Sequence, residues 1–126
     1  SIRKSEMGEI HTCNLISINL AELTSEELEK YVALAVRALD NTIDLTVTPL
    51  KESNKHNLLY RTIGVGAMGL ADYLAREYMI YEESINEIDE LFERIALYSI
   101  KASALLAKDR GAYKAFKGSK WEGQQL

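Results

Sequence analysis

Two stretches of this chain carry apolar residues at the three- and four-residue spacing of an α-helix, and they limit what the rest can build. Leu28, Tyr31, Val32, Ala35, Val36, Leu39 and Ile43 form the first series, and Ile88, Leu91, Phe92, Ile95, Tyr98, Ala102, Leu105 and Leu106 the second. Each lines one face of a helix. Each is preceded by a capping-box pair, Thr24 with Glu27 and Ser84 with Glu87, whose hydroxyl and carboxylate can satisfy N–H groups at a helix start. The first series ends before Pro49, the only proline, which cannot continue a helix. The second stops near Gly111, after Lys108 and Arg110 have complemented the helix dipole. The spacing predicts helices over 25–46 and 85–110. At ~1.5 Å per residue the second would span about 38 Å, which is long for 126 residues and suits a helix with something outside the chain packed along it.

Between these helices the pattern is less regular. Residues 12–20, TCNLISINL, mix Leu15, Ile16, Ile18 and Leu20 with two asparagines and read as a short, largely buried strand. Residues 50–57, LKESNKHN, read as a polar loop, and the apolar run that follows predicts a third helix over 63–78. The expected fold is mostly α, with three main helices and one short N-terminal strand. Three helices cannot cover all four apolar strand residues. The strand is therefore expected to have no sheet partner in this chain and to be buried by a second one. The tail KAFKGSKWEGQQL is polar with Phe116 and Trp121 embedded, and no internal repeat or low-complexity segment interrupts the chain.

Composition removes several function classes. A net charge of −4 without a basic cluster does not make a nucleic-acid surface, and no apolar run approaches the roughly 20 residues that span a bilayer. With no signal peptide, a reducing cytoplasmic setting is expected. The chain opens at Ser1 rather than methionine, which suggests a processed product or a piece of something longer. Gly64-Val65-Gly66-Ala67-Met68-Gly69 matches G-x-G-x-x-G, but that fingerprint needs a strand before it and a second parallel strand after its helix. Neither is expected, so the glycines are read as allowing a helix to approach its neighbour closely. His11 and His56 are too far apart in sequence to propose a metal site. The Glu26-Glu27 and Glu82-Glu83 pairs suit helix first turns. ELFER…YSIKAS has the look of a di-iron carboxylate helix but lacks the Glu-x-x-His pair such a site requires. Cys13 is the only cysteine; from the residues alone it is either a small buried packing group or half of a redox pair completed elsewhere.

Several separated blocks carry a family resemblance. GEIHTCNLISINL (Gly8 to Leu20), VRALDNTID (Val36 to Asp44), RTIGVGAMGLADYLA (Arg61 to Ala75), SIKASALLAKDRGAY (Ser99 to Tyr113) and FKGSKWEGQQL (Phe116 to Leu126) occur in order and cover nearly the whole chain. Together the chain resembles the large, catalytic subunit of ribonucleotide reductase, as a segment from the C-terminal half of its barrel domain. The resemblance implies a piece of a ten-stranded α/β barrel, forming one partial domain over 1–126 with no internal boundary. It also makes the RTIGVGAMGLAD block an internal packing segment that binds no nucleotide.

In that family a thiyl radical on a cysteine inside the barrel abstracts the 3′ hydrogen of the ribose. Two further cysteines supply the reducing equivalents that remove the 2′ hydroxyl, and end as a disulfide. Cys13 aligns with the second of these two, so its sulfur partner would lie outside this chain. The radical-cysteine block, the first redox cysteine, the effector region, the ATP-cone, the diphosphate-binding loop and the tail cysteines all have no counterpart in the 126 residues. The implied role is thus one redox cysteine of a ribonucleotide reductase, inactive until the rest of the subunit joins it, as in a split-gene product or an excised piece. No cofactor or metal is expected on this segment. The full enzyme implies a thioredoxin- or glutaredoxin-type thiol reductant and a radical source, either a metal-containing small subunit or adenosylcobalamin. The other reading is a helical interaction module that kept the sequence and lost the chemistry.

Overall fold

A computed structural model describes residues 8–123. The chain runs through strand β1 (Asn14–Asn19), helices α1 (Leu28–Leu45) and α2 (Lys51–Tyr60), strand β2 (Ile63–Met68), and helices α3 (Leu70–Arg76) and α4 (Ile85–Arg110). The mostly helical character read from the sequence is what the chain adopts.

α1 and α4 follow their apolar series. Leu28, Val32, Ala35, Val36, Leu39 and Ile43 are the buried residues of α1, while Leu91, Ile95 and Ala102 are those of α4. Across the seam Arg94 donates to the Ser25 hydroxyl and carbonyl, Lys101 pairs with Glu29, and Arg110 bonds Asp40 and Asn41. The numbers rise together, so the two helices run parallel. Phe92 and Leu105, which share the α4 series, remain exposed together with Ile85 and Leu97, consistent with the expectation that this helix has more to pack against. At the start of α1 the Glu27 carboxylate accepts from the Thr24 N–H at 3.1 Å and its hydroxyl at 2.9 Å, and these bonds hold the carboxyl below the usual carboxylate range. The box expected at Ser84 does not form, because the Ser84 hydroxyl donates instead to the Ile80 carbonyl at 2.7 Å. Gly111 ends α4 as read, with φ 91° and its N–H on the Ala107 carbonyl.

Three sequence expectations need correction. The predicted loop at 50–57 is largely helix α2. Its buried residues are Ser53, His56 and Asn57, so its inward face is polar and carries no apolar period. The predicted helix over 63–78 is a strand followed by the short helix α3. Two glycines at 64 and 66 disfavour helix, Ile63 and Val65 are β-branched, and Gly69 at φ 74° breaks the chain direction before α3. β1 is not alone: it pairs in parallel with β2 over six positions, Asn14 with Ile63 through Asn19 with Met68. Parallel strands need a long crossover, and here α1 and α2 supply it.

One face of this pair closes the core. Ile18 and Leu20 are buried with Leu28, Val32, Ala35, Leu91 and Ile95, and Ile16, Val65 and Ala67 pack against them. The opposite face, with Leu15 71% exposed and Met68 also uncovered, stays open. Of the four strand residues expected to need outside cover, only Leu15 is left without it. Among the described residues no helix is long and apolar enough to cross a membrane.

Candidate functional site

Cys13 stands one residue before β1 and is exposed. The expectation of a sulfur held inside a buried strand is corrected by the two-residue alternation of side chains. Inward positions belong to Ile16 and Ile18, whereas Cys13, Leu15 and Ser17 are all exposed. The glycine at 64 makes room for Leu15. A Cβ there would stand 2.6 Å from Leu15 Cδ2 and 3.8 Å from Cys13 Sγ. Gly64 thus lets a strand side chain lie over a strand, rather than a helix against its neighbour, while a Cβ at Gly66 would make only ordinary contacts of 3.5 and 3.7 Å. Both glycines sit inside β2, not in a turn before a helix, so the dinucleotide fingerprint has no structural counterpart.

The residues flanking Cys13 are tied to the last turn of α2. The Thr12 hydroxyl donates to Asn57 Oδ1, and the Thr12 N–H donates to His56 Nδ1 at 3.4 Å. Asn14 Nδ2 donates to Asn57 Oδ1 at 3.3 Å and to the Thr62 carbonyl at 3.2 Å. His56 Nε2 lies 3.1 Å from His11 Nδ1, with the two rings edge to face. A backbone N–H can only donate, so His56 Nδ1 is an acceptor, Nε2 carries the proton, and His11 Nδ1 accepts it. Burial pushes the His56 imidazole below its ordinary value, the neighbouring His11 adds to this, and Glu9 opposes it. Glu9 is itself buried and lies 3.3 Å from Lys55 Nζ.

The two histidines held apart in the sequence reading are therefore in contact across 45 residues. Spacing gave no sign of it, and neither did the polar face of α2. Among the described residues no group of three or more His, Cys, Asp or Glu side chains is placed to hold a metal ion.

A second polar cluster lies beside the start of β2. Arg61 sits in the left-handed region at φ 48°. Its Nε and Nη2 reach Asp40 Oδ1 at 2.9 and 2.6 Å, and its Nη1 and Nη2 reach the two Asp44 oxygens at 2.7 and 2.9 Å. Nη2 also donates to the Asp40 carbonyl. The guanidinium holds the Asp44 carboxyl below its ordinary value, and the carboxylates push Arg61 further up. A cavity of about 430 Å³ adjoins this cluster, lined in part by Tyr60, Arg110, Tyr113 and Lys114. Asp40 and Asp44, one helical turn apart on α1, are the partners of Arg61. The charges here satisfy one another, which makes the cluster a clamp between α1 and the strand pair.

A βαβ unit with a parallel pair, an open strand face and helices on the other face defines the class: a segment of an α/β fold. The chain belongs to the ribonucleotide reductase barrel-domain family, whose model matches residues 2–126. It is 51% identical over 112 residues to the ribonucleoside-diphosphate reductase subunit alpha of Synechocystis sp., covering 89% of this chain and 14% of that protein. It is 43% identical over 123 residues to the subunit of that name from Chlamydia pneumoniae, covering 91% and 12%. It is 38% identical over 118 residues to the vitamin B12-dependent ribonucleoside-diphosphate reductase of Mycobacterium tuberculosis, covering 87% and 17%. The chain thus spans between 12% and 17% of the length of these relatives. Its fold is similar to that of the Actinobacillus ureae class Id ribonucleotide reductase alpha subunit, with a TM-score of 0.69 at 24% identity, over 87% of this chain and 23% of that one.

Proposed function

We propose that this chain forms part of the catalytic subunit of a ribonucleotide reductase and supplies one of its two reducing cysteines, Cys13. Two thiols lose two protons and two electrons and join as a disulfide, while the ribose C2′–O bond breaks, hydrogen replaces the hydroxyl, and water leaves. The observation that carries this reading is the placement of Cys13. It is exposed on the open face of the strand pair, beside Gly64, with both flanking residues anchored. A thiol kept only for packing would be inside.

On this reading residues 1–126 form one partial domain that acts only within a completed barrel. Its partners are the rest of the large subunit, the ribonucleotide, and a radical source, which is either a metal-containing small subunit or adenosylcobalamin. A dithiol reductant of the thioredoxin or glutaredoxin type restores the cysteine pair. The test combines the chain with the segments that complete the barrel and follows nucleotide reduction. Cys13→Ser is expected to abolish multiple turnover, because serine cannot enter a disulfide. Peptide mapping after one turnover without reductant is expected to find Cys13 cross-linked to a cysteine outside this chain. Full activity of Cys13→Ser, or a free Cys13 thiol after turnover, would leave the helical interaction module as the surviving reading.

A further inference from the structure

A cysteine that must close a disulfide has little positional freedom, since the two Cα atoms have to lie about 4.4–6.8 Å apart with the Cβ atoms converging. Cys13 is exposed, so packing around its own side chain does not provide that restraint. The restraint comes from its neighbours. Thr12 is held through its N–H by His56 and through its hydroxyl by Asn57. Asn14 is held through its amide by Asn57 and by the Thr62 carbonyl, which also accepts the Asn14 N–H at 3.5 Å. One turn of α2 therefore fixes the chain on both sides of the sulfur-bearing residue. His56 is restrained in turn: it is 7% exposed, its Nε2 is engaged by His11, and its ring lies 4.9 Å from that of Tyr60.

We propose that His56 and Asn57 are positioning residues for Cys13, with His56 acting as a neutral imidazole whose Nδ1 accepts from the Thr12 N–H. The proposal rests on the reading of Cys13 as a reducing cysteine. It assigns to α2, the polar helix that sequence periodicity does not show, the task of aiming the thiol toward its partner sulfur. On this proposal neither residue contacts the substrate or the reacting sulfur. Their effect is expected in the step that forms the disulfide, and substrate binding is left alone.

The test uses the completed large subunit with its radical source, and compares wild type with His56→Phe, His56→Asn, Thr12→Val and Cys13→Ser. Displacements of about 1 Å at a reacting group can cost up to a hundredfold, and an exposed strand end restrained by two residues should lose part of that. His56→Phe, which keeps the ring and removes the acceptor, is expected to lower kcat about tenfold while KM stays within about twofold. The Cys13 disulfide in a single turnover without reductant should slow by the same factor. In His56→Asn the amide oxygen takes the place of Nδ1, and kcat should return to within about threefold of wild type. An unchanged kcat in His56→Phe, or a His56→Asn variant as slow as the phenylalanine one, would overturn the proposal.

Where His56→Phe fails to fold, Thr12→Val removes the hydroxyl that donates to Asn57 Oδ1 and lies 3.3 Å from His56 Nδ1. A several-fold loss of kcat at constant KM supports positioning there, and no loss overturns it. Cys13→Ser separates the two layers. Retained turnover in that variant removes the redox reading and the positioning with it. An inactive Cys13→Ser beside an unaffected His56→Phe removes the positioning alone.

Discussion

The end of α2 and the residue after it hold two corners of the strand pair by different chemistry. At the β1 corner His56 and Asn57 use neutral groups, imidazole, amide and hydroxyl, to hold Thr12 and Asn14. At the β2 corner Arg61 uses charge, forking between Asp40 and Asp44. The charged corner leaves none of its groups idle and accepts a left-handed backbone at a non-glycine residue, a conformation that persists only where the surroundings over-determine it. The neutral corner leaves a thiol uncovered between two anchored residues. The comparison shows a clamp where geometry alone is needed, and a set of weaker bonds beside a group that has chemistry to do.

The largest effect should come from Arg61→Leu. Removing one partner of a buried ion pair costs about 3–5 kcal/mol, and solvent reaches this cluster, so we expect about 2–3 kcal/mol in denaturant unfolding. Arg61→Gly sharpens the comparison, because it relieves the backbone while deleting the same bonds. It should recover about 1 kcal/mol of the loss. If Arg61→Leu costs less than His56→Phe, the assignment of clamp and lighter anchor is reversed.

His56→Phe should cost about 1–2 kcal/mol, the lower part of the range for leaving an N–H without its acceptor, because the Thr12 N–H is only partly buried. Faster amide hydrogen exchange should appear at Thr12 while the exchange of α1 near Asp40 stays unchanged. Loss of protection at both corners would show that they are one unit.

Acid should release the two corners in sequence. His56 is lowered in the folded protein, so its neutral form is favoured there. The stability it contributes is full above the ordinary imidazole value of 6.5 and is lost as pH falls below that toward the lowered folded value. Burial does most of the lowering, His11 adds to it and Glu9 opposes it. Asp44 is also lowered, as a carboxylate, so its contribution is present above 3.8 and is lost only as pH falls through its still lower folded value. Residue-resolved hydrogen exchange should show Thr12 loosening in mild acid while Arg61 remains protected. Release of both at one pH would contradict the distinction.

The smallest effect belongs to Gly64→Ala. The new methyl meets the tip of Leu15, an exposed and flexible side chain that can swing aside, so stability should fall by less than about 1 kcal/mol. The alkylation rate of Cys13, whose sulfur lies 3.8 Å from the added carbon, should drop more clearly than the stability does.

How much of this was legible in the sequence follows from what each element buries. α1 was legible because Leu28, Val32, Ala35, Val36, Leu39 and Ile43 face the core together, and the strand around Ile16 and Ile18 was legible for the same reason. α2 was not, since a helix that buries Ser53, His56 and Asn57 shows no apolar period. β2 was misread because glycines and short apolar residues suit a close-packed helix as well as a strand. Its identity is settled by pairing with residues 49 positions earlier, beyond any local signal. Of the candidate site, Cys13 could be found through its resemblance, while its anchors could not. Their contacts span 43–45 residues, and histidine, threonine and asparagine are ordinary loop residues until a fold brings them together.

The anchors on α2 also limit how a gene for this segment can change length. Asn57 and Arg61 are four residues apart, about one helical turn, so each meets its corner only at that separation. Inserting or deleting a single codon between them would rotate one anchor by about 100° relative to the other. No local adjustment could then satisfy Thr12, Asn14, Asp40 and Asp44 together. Near Gly118, where an added Cβ meets nothing within 4 Å, the same one-codon change would break only bonds within the tail, such as those from the Gly118 N–H to Glu122 and from the Ser119 N–H to the Phe116 carbonyl. Length variation in this family segment should accordingly be tolerated around the tail and rejected across Asn57–Arg61, and a library of single-codon insertions scored for folding would display that boundary directly.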